Sequence, residues 1–346
     1  METEVRGIPV GNKISKLPIM QGQMALRVAL DPLSGAVAAA GGVGLMTGTG
    51  LISRTSGSDE LVQRIGEARH LAAGGILGLG VMYAVDQFDA ILNVAIEERV
   101  DLVVIGAGFA REPFNKLAAA GIPGFAIISS ERLASIVSRV PTIAGVVVES
   151  GQAGGHLGPA DVNISIWDLF PPVLRTLREG GFEGPVIAAG GIRYGWEIRR
   201  LMEMGAAGVQ IGTLFAMTTE SSAPDTMKEA WLRARGTKVV HVSPVGMPGR
   251  VVEMQDLDSL PRLAAPEQGC IDCLKRCAHR GDPTQKHCIH LSLRNAALGR
   301  IKFGPEGEVQ EGLVFSGSRV GEINDIVPAK TRIDTLMREF WEGYPE

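Results

Sequence analysis

All four cysteines of this 346-residue chain fall in one short segment, spaced Cys270-x2-Cys273-x3-Cys277-x10-Cys288. Three closely spaced thiols and a remote fourth can close around one metal centre, because thiolates ligate both iron–sulfur clusters and zinc. The dissimilar spacings differ from paired CxxC zinc knuckles and lean towards [4Fe–4S]. His279, His287 and His290 are substitute ligands that keep zinc as the alternative. The plainer reading is four reduced cysteines, some buried as small hydrophobes. A second constellation is Glu149-Ser150-Gly151-Gln152-Ala153-Gly154-Gly155-His156-Leu157-Gly158. Its glycines let the backbone approach a flat ligand, and the imidazole of His156 titrates near neutrality, which suits proton transfer or the holding of a polar substrate. A lone histidine is more often structural, but a place at a strand end favours function. Two further runs, Ala189-Gly190-Gly191 and Gln210-Ile211-Gly212-Thr213, offer unobstructed backbone N–H groups and one hydroxyl. Each alone would mark only a tight turn; together, at consecutive strand ends, they suit a phosphate.

Those residues need elements to carry them. Short apolar runs rich in Val, Ile and Leu recur at 17–21, 42–46, 75–82, 101–108, 124–128, 144–149, 185–191 and 208–213. Their continuous rather than alternating character predicts strands buried on both faces of a parallel sheet. Helical spacing fills the gaps at 58–73, 86–98, 111–120, 130–138, 165–178 and 194–204, with Ser58-Asp59-Glu60 reading as an N-cap and Gly205 as a C-cap. Eight strands alternating with helices predict a (β/α)8 TIM barrel, with a doubly wound α/β sheet as the runner-up. The barrel core is expected over 1–213. Residues 214–346 read as C-terminal helices and a cap packed on it, with helices near 219–235, 289–300 and 331–342, an extended stretch at 239–252, and the cysteine cluster at 270–288.

Composition removes several function classes. The net charge of −4 excludes a broad polybasic footprint. Residues 270–302 are locally basic and invite a zinc-stabilised nucleic-acid-binding appendage, but they contain no aromatic to stack on bases and no obvious groove-reading helix. A solvated basic face is therefore expected, and nucleic acid is not the expected partner. Four cysteines are too few for a disulfide scaffold. The opening METEVRGIPVGNK has no apolar h-region, and the uncharged stretch from Pro32 to Ser53 is broken by six glycines, so neither a secretory signal nor a membrane span is expected. The expected location is the cytoplasm.

The ordered motifs AGGHLG, AAGGI and GVQIGT, with PIMQGQM near the start, GAG at 106–108 and SPVGMPGR at 243–250, resemble the nitronate monooxygenase family (formerly 2-nitropropane dioxygenases). The resemblance covers roughly 15–255 and extends to the flavin-dependent enoyl-acyl-carrier-protein reductase II enzymes. It implies a (β/α)8 barrel with non-covalent FMN. By position it implies Gly22 and Met24 beside the isoalloxazine, Glu149, Gly154 and Gly155 near the ring or ribityl chain, and Gly190, Gly191, Gln210, Ile211, Gly212 and Thr213 at the phosphate. His156 falls on the family's active-site histidine. Two departures stand out. The asparagine that the family carries at the end of strand 3 is absent from Gly80-Val81-Met82, and Val81 cannot donate its hydrogen bond. Glu149 stands where many members have glutamine, so it must either lower the flavin's potential or be held protonated.

The expected activity is that of a nitronate monooxygenase, oxidising nitronates with O2 while His156 holds or protonates the nitro group. The alternative is an NAD(P)H-dependent reductase of enoyl thioesters; a non-enzymatic flavin or metal redox sensor is a further class. The expected partner is a small molecule, nitronate or enoyl thioester, with NAD(P)H as co-substrate in the second case. A homodimer is left open.

Overall fold

The computed structural model describes residues 5–52, 57–241, 243–253, 273–277, 288–304 and 309–344. Its centre is a closed barrel of eight parallel strands. These are β1 (Ile19–Gln21), β2 (Val43–Thr47), β3 (Ile76–Met82), β4 (Leu102–Gly106), β5 (Gly124–Ile128), β6 (Gly145–Glu149), β7 (Val186–Ala189) and β8 (Gly208–Ile211). Closure is made by β8 against β1, where Val209, Gln210 and Ile211 pair with Ile19, Met20 and Gln21. The eight expected strands all lie in this barrel, and the doubly wound alternative falls with the closure.

The apolar runs are continuous because both strand faces are buried. Along β4, Leu102 and Val104 face the barrel interior while Val103 and Ile105 pack under the helices; along β6, Val147 faces in and Val146 and Val148 face out. Phe125 fills the interior over Gly145, where a side chain would stand 2.5 Å from its ring. The floor is plugged by the short hairpin of Pro9–Val10 and Lys13–Ile14, which delivers Ile8 and Val10 to the inner core. Ser15 Oγ ties it down, accepting from Ile8 N at 2.8 Å and donating to Leu17 O at 2.6 Å.

Outside the strands lie α1 (Asp31–Ala39), α2 (Asp59–Leu71), α3 (Phe88–Glu97), α4 (Glu112–Ala119), α5 (Glu131–Val137), α6 (Ile166–Glu179), α7 (Gly195–Glu203) and the single turn α8 (Thr213–Ala216). Ser130 and Ser165 cap α5 and α6 by accepting from Leu133 N and Asp168 N. Ser58 makes no such bond, so α2 is favoured at its start by the charges of Asp59 and Glu60 in its first turn. The uncharged stretch after Pro32 folds as α1 and β2. Among the described residues, no helix is long and apolar enough to cross a membrane.

Later in the chain come α9 (Asp225–Arg233), α10 (Ile289–Ala297) and α11 (Ala329–Glu342). The last buries Ile333, Leu336 and Phe340 and packs so closely on α7 that a Cβ at Gly195 would collide with Leu336 O. Thr237–Val240 and Gly249–Val252 form an antiparallel pair, extended by Gly155–His156 from the loop after β6. Leu274 bridges to Val85, so residues 273–275 lie beside the loop after β3, with Cys273 O accepting from Asp86 N and Lys275 N donating to Ala84 O.

Candidate functional site

The C-terminal mouth of the barrel gathers the strand-end motifs, where βα loops of this architecture hold ligands. One side of it is backbone. After β7, Gly190 and Gly191 both take positive φ (93° and 77°), a pair that residues with side chains resist. A Cβ at Gly190 would stand 2.5 Å from Ser150 Oγ, and one at Gly191 would collide with Gln152 Oε1. Gly22, just after β1, donates to Ile211 O at 2.7 Å, and a Cβ there would stand 2.9 Å from Gly212 Cα. Gly212 is different: a Cβ added there meets no protein atom within 4 Å. The three loops thus meet around open space next to Gly212. Helix α8 is one turn long, so the donors here are individual amides rather than the end of a long helix.

Two structural residues hold this side in place. Arg319 donates to Gly191 O at 3.0 Å and to Glu197 Oε1 at 2.6 Å, and Glu197 in turn accepts from Arg193 N and Tyr194 N at the start of α7. The hydrogen-bonded Glu322 carboxylate, and after it Glu197, hold the Arg319 guanidinium firmly charged. The run Ser316-Gly317-Ser318 arrives from the far end of the chain. Gly317 N donates to Thr213 Oγ1 at 2.9 Å and Ser318 N to Gln152 O at 3.0 Å, and Gly154 abuts Ser316 and Gly317 so closely that no side chain would fit. Ser316 is buried, and both Ser316 Oγ and Ser318 Oγ make no hydrogen bond. Nothing in the local sequence flagged these serines. Their only signal is the distant pairing with Thr213 and Gln152.

Of the expected cofactor residues, Gly22, Gly154, Gly155, Gly190, Gly191, Gly212 and Thr213 come together at this mouth, and Met24 lies half-buried beside it. Ile211 is core, exposing only its carbonyl to Gly22. Gln210 turns inward instead, its carboxamide donating to Met20 Sδ at 3.3 Å, so its side chain serves the barrel interior. Glu149 ends β6 opposite Ala189. Burial pushes its carboxyl up to about 8, which selects the protonated form at neutral pH from the two options the sequence left.

The other side of the mouth is built of side chains. His156 is half-buried, with Nε2 2.8 Å from Ser243 Oγ and its ring edge-on to Phe315 (5.2 Å between centroids) and to His290 (5.7 Å). Burial, with the neighbouring His290 second, pulls its pKa down to about 4, so the imidazole is uncharged at pH 7. The SPVGMPGR motif explains how this ring is held. Ser243 supplies the partner, Pro248 O accepts from Leu157 N, and the buried Arg250 donates to Gly151 O and Val162 O. One guanidinium therefore fixes the loop that carries His156.

Cys270 lies outside the described residues, as do His279 and His287. Cys273, Cys277 and Cys288 are half-buried, and Cys273 Sγ is 3.2 Å from His290 Nδ1, one ring away from His156. Among the described residues, no group of three or more His, Cys, Asp or Glu side chains is arranged to hold a metal ion.

A closed parallel barrel with glycine-lined strand ends beside β7 and β8, and an uncharged histidine across the mouth, defines a cofactor-binding enzyme barrel. Residues 76–339 match the family model described as nitronate monooxygenase. The chain belongs to the nitronate monooxygenase family and is a flavin-dependent oxidoreductase. Among relatives, it is 29% identical over 345 residues to the (3aS,4S,5R,7aS)-5-hydroxy-7a-methyl-1-oxo-octahydro-1H-indene-4-carboxyl-CoA dehydrogenase of Rhodococcus jostii, covering 93% of this chain and 92% of that one. It is 35% identical over 144 residues to the nitronate monooxygenase of Pseudomonas aeruginosa, covering 40% of each. Among solved structures, FabK from Thermotoga maritima superposes with a TM-score of 0.75 at 28% identity, covering 94% of this chain and 93% of that one.

Proposed function

We propose that this chain is an FMN-dependent oxidoreductase acting on an acyl thioester. The observation that carries this is the extent of the likeness. Similarity to a carboxyl-CoA dehydrogenase runs through 93% of the chain, cap included, whereas similarity to a named nitronate monooxygenase covers 40%. The site supports the same choice. An uncharged His156 paired with Ser243 offers a hydrogen bond to a neutral carbonyl or hydroxyl oxygen, and brings no positive charge for a nitronate anion.

The mouth fits FMN. The phosphate would be held by backbone N–H groups of Gly190, Gly191 and Gly212 and by the hydroxyls of Thr213, Ser316 and Ser318, two of which are unmet in the protein itself. Gly22 and Gly154 let the mouth loops close on Gly212 and on Ser316-Gly317, and a Cβ at Gly155 would meet no protein atom nearer than Phe315 Cδ2 at 3.8 Å. The ribityl chain and ring would lie beside them with Met24. FMN supplies a two-electron carrier that exchanges hydride with the substrate. His156 orients the oxygen of the substrate and keeps a proton within reach at Nε2, shared with Ser243. Arg250 keeps that loop in register, and Phe315 excludes water from one edge of the imidazole. The family's activity makes the non-enzymatic sensor reading unnecessary. Cys270, Cys273, Cys277 and Cys288 stay within the proposal as a [4Fe–4S] ligand set, zinc being the alternative, supported by their spacing alone.

One anaerobic preparation tests these readings. The bound flavin is mixed separately with a hydroxyacyl-CoA, with NADH or NADPH followed by an enoyl-CoA, and with a nitronate, while its visible band is followed. Electron exchange with a thioester is expected. Bleaching by the nitronate with no response to any thioester would return the protein to the monooxygenase reading. Iron and acid-labile sulfide in near-equal amounts are expected of the same sample; their absence removes the cluster.

A further inference from the structure

We infer that Arg276 and Arg294 form a phosphate-reading rim at the barrel mouth, and that the thioester taken there is a coenzyme A ester held by the phosphates of its carrier arm. This rests on the acyl-thioester reading and names the carrier. The starting observation is one of charge. Residues 270–302 carry seven lysines and arginines against two aspartates, in a chain whose net charge is −4. A concentrated basic stretch in an otherwise acidic protein draws anions to wherever the fold puts it.

The fold puts it at the mouth. Residues 273–275 are sewn to the loop after β3 by the Leu274–Val85 bridge, with Asp86 N donating to Cys273 O at 3.1 Å and Lys275 N to Ala84 O at 2.9 Å. The Lys275 side chain adds an anchor, its Nζ lying 4.5 Å from the centre of the Tyr83 ring and 4.4 Å from that of Phe88. At its other end Cys273 meets His290 on α10, and His290 lies against His156. This stretch therefore runs from the loop after β3 to the histidine side of the mouth. Arg276 is the next residue beyond it, and Arg294 stands one turn after His290 on the same face of α10. Both arginines are exposed, and neither guanidinium makes a hydrogen bond or ion pair with a described residue. The acidic neighbours on the β3 side are Asp86 and Asp89, and Lys275 answers Asp89 at 3.7 Å. An arginine fork suits phosphate oxygens. The FMN phosphate does not account for these two, because the glycine cradle beside β7 and β8 takes it. A thioester with its carbonyl at His156 leads its carrier arm out of the mouth past His290. Coenzyme A bears a diphosphate and a 3′-phosphate on that arm, whereas pantetheine bears none.

The test is a titration of FMN-loaded protein with coenzyme A and with pantetheine. Wild type should bind coenzyme A about tenfold more tightly, an advantage that shrinks as salt is raised. Arg276→Gln and Arg294→Gln should each weaken coenzyme A about fivefold and together about twentyfold, with pantetheine affinity unchanged. Both positions are exposed, and a phosphate-free substrate checks that the variants are intact. Turnover of a hydroxyacyl thioester of N-acetylcysteamine should stay at the wild-type level in the double variant. Equal wild-type affinity for coenzyme A and pantetheine would overturn the inference, and so would a coenzyme A preference that survives in the double variant. Loss of turnover with an acyl-carrier-protein thioester, while coenzyme A binding persists, would also overturn it and hand the rim to a protein carrier. The function reading fails separately: a wild type that exchanges electrons with no thioester sinks that reading, whereas the titration reads the rim without turnover.

Discussion

The two sides of the barrel mouth are built on different principles. Around Gly22, Gly190, Gly191 and Gly212 the working groups are main-chain amides, and their positions follow from the closure of β7, β8 and β1. Around His156 the working groups are side chains drawn from distant parts of the chain: Ser243 before one cap strand, His290 on α10 and Phe315 near the end. A backbone cradle can recognise what many enzymes share, a phosphate. In the proposed function, a cluster assembled from distant segments sets what is particular, the polarity and protonation around the substrate. On that proposed function, cofactor and substrate are specified by separable parts of one mouth, so each can be broken without the other.

The largest effect is expected on the backbone side. A Cβ at Gly212 meets no protein atom within 4 Å, and φ there is −97°, so Gly212→Val needs no strained backbone. The new side chain would project into the space the cradle surrounds. FMN content should fall to near zero and turnover with it, while the apoprotein melts within a few degrees of wild-type apoprotein. Full flavin occupancy in this variant would show that the phosphate is held elsewhere.

The cap side should respond in the opposite way. His156→Ala is expected to retain FMN at wild-type stoichiometry and lose turnover by roughly 10²–10⁴, the range for removing a positioned acid/base group. The acid limb of stability gives an independent readout. With its folded-state pKa pulled down to about 4 from 6.5, His156 favours folding fully above pH 6.5 and loses that contribution as pH falls towards 4. His156→Ala should therefore flatten the decline in Tm over that interval. Unchanged turnover per bound flavin would make the imidazole a packing group for Phe315 and Ser243.

What could be read from the sequence follows the same division. Strands declared themselves because both faces of each are buried, as along Val146, Val147 and Val148, and glycine pairs declared themselves because they are contiguous. Helix α1 escaped notice: its run of Ala, Val and Gly within an uncharged stretch has no polar face to set a period. Ser316 and Ser318 were invisible because their relevance comes from Gly317 meeting Thr213, a contact across about a hundred residues that no local pattern encodes. Gln210 was placed at the phosphate by position, but side chains alternate along a strand and this one points into the barrel, to Met20. The cysteine spacing is the reverse case, conspicuous in sequence, with Cys270 outside the described residues and Cys273 set against His290.

Glu149 sits at the seam of the two sides, ending β6 opposite Ala189 and opening the loop that carries His156, and it supports the smallest and most specific prediction. Burial raises its folded-state pKa from 4.5 to about 8. The folded state therefore binds this proton more tightly than the unfolded chain does. Its contribution to stability is complete below pH 4.5, declines as pH rises from 4.5 to 8 and is constant above. Replacing it by an uncharged isostere, Glu149→Gln, should remove that decline, so the variant gains on wild type steadily between those limits. Flavin binding should carry the same signature with the sign fixed by charge. Above about pH 8 the ionised carboxylate opposes the phosphate and the anionic reduced ring, so wild-type affinity for reduced FMN should fall on the order of fourfold between pH 7 and pH 9. Glu149→Gln should show no such step. A step of equal size in both proteins would assign the titration to another group and place Glu149 too far from the cofactor to sense it.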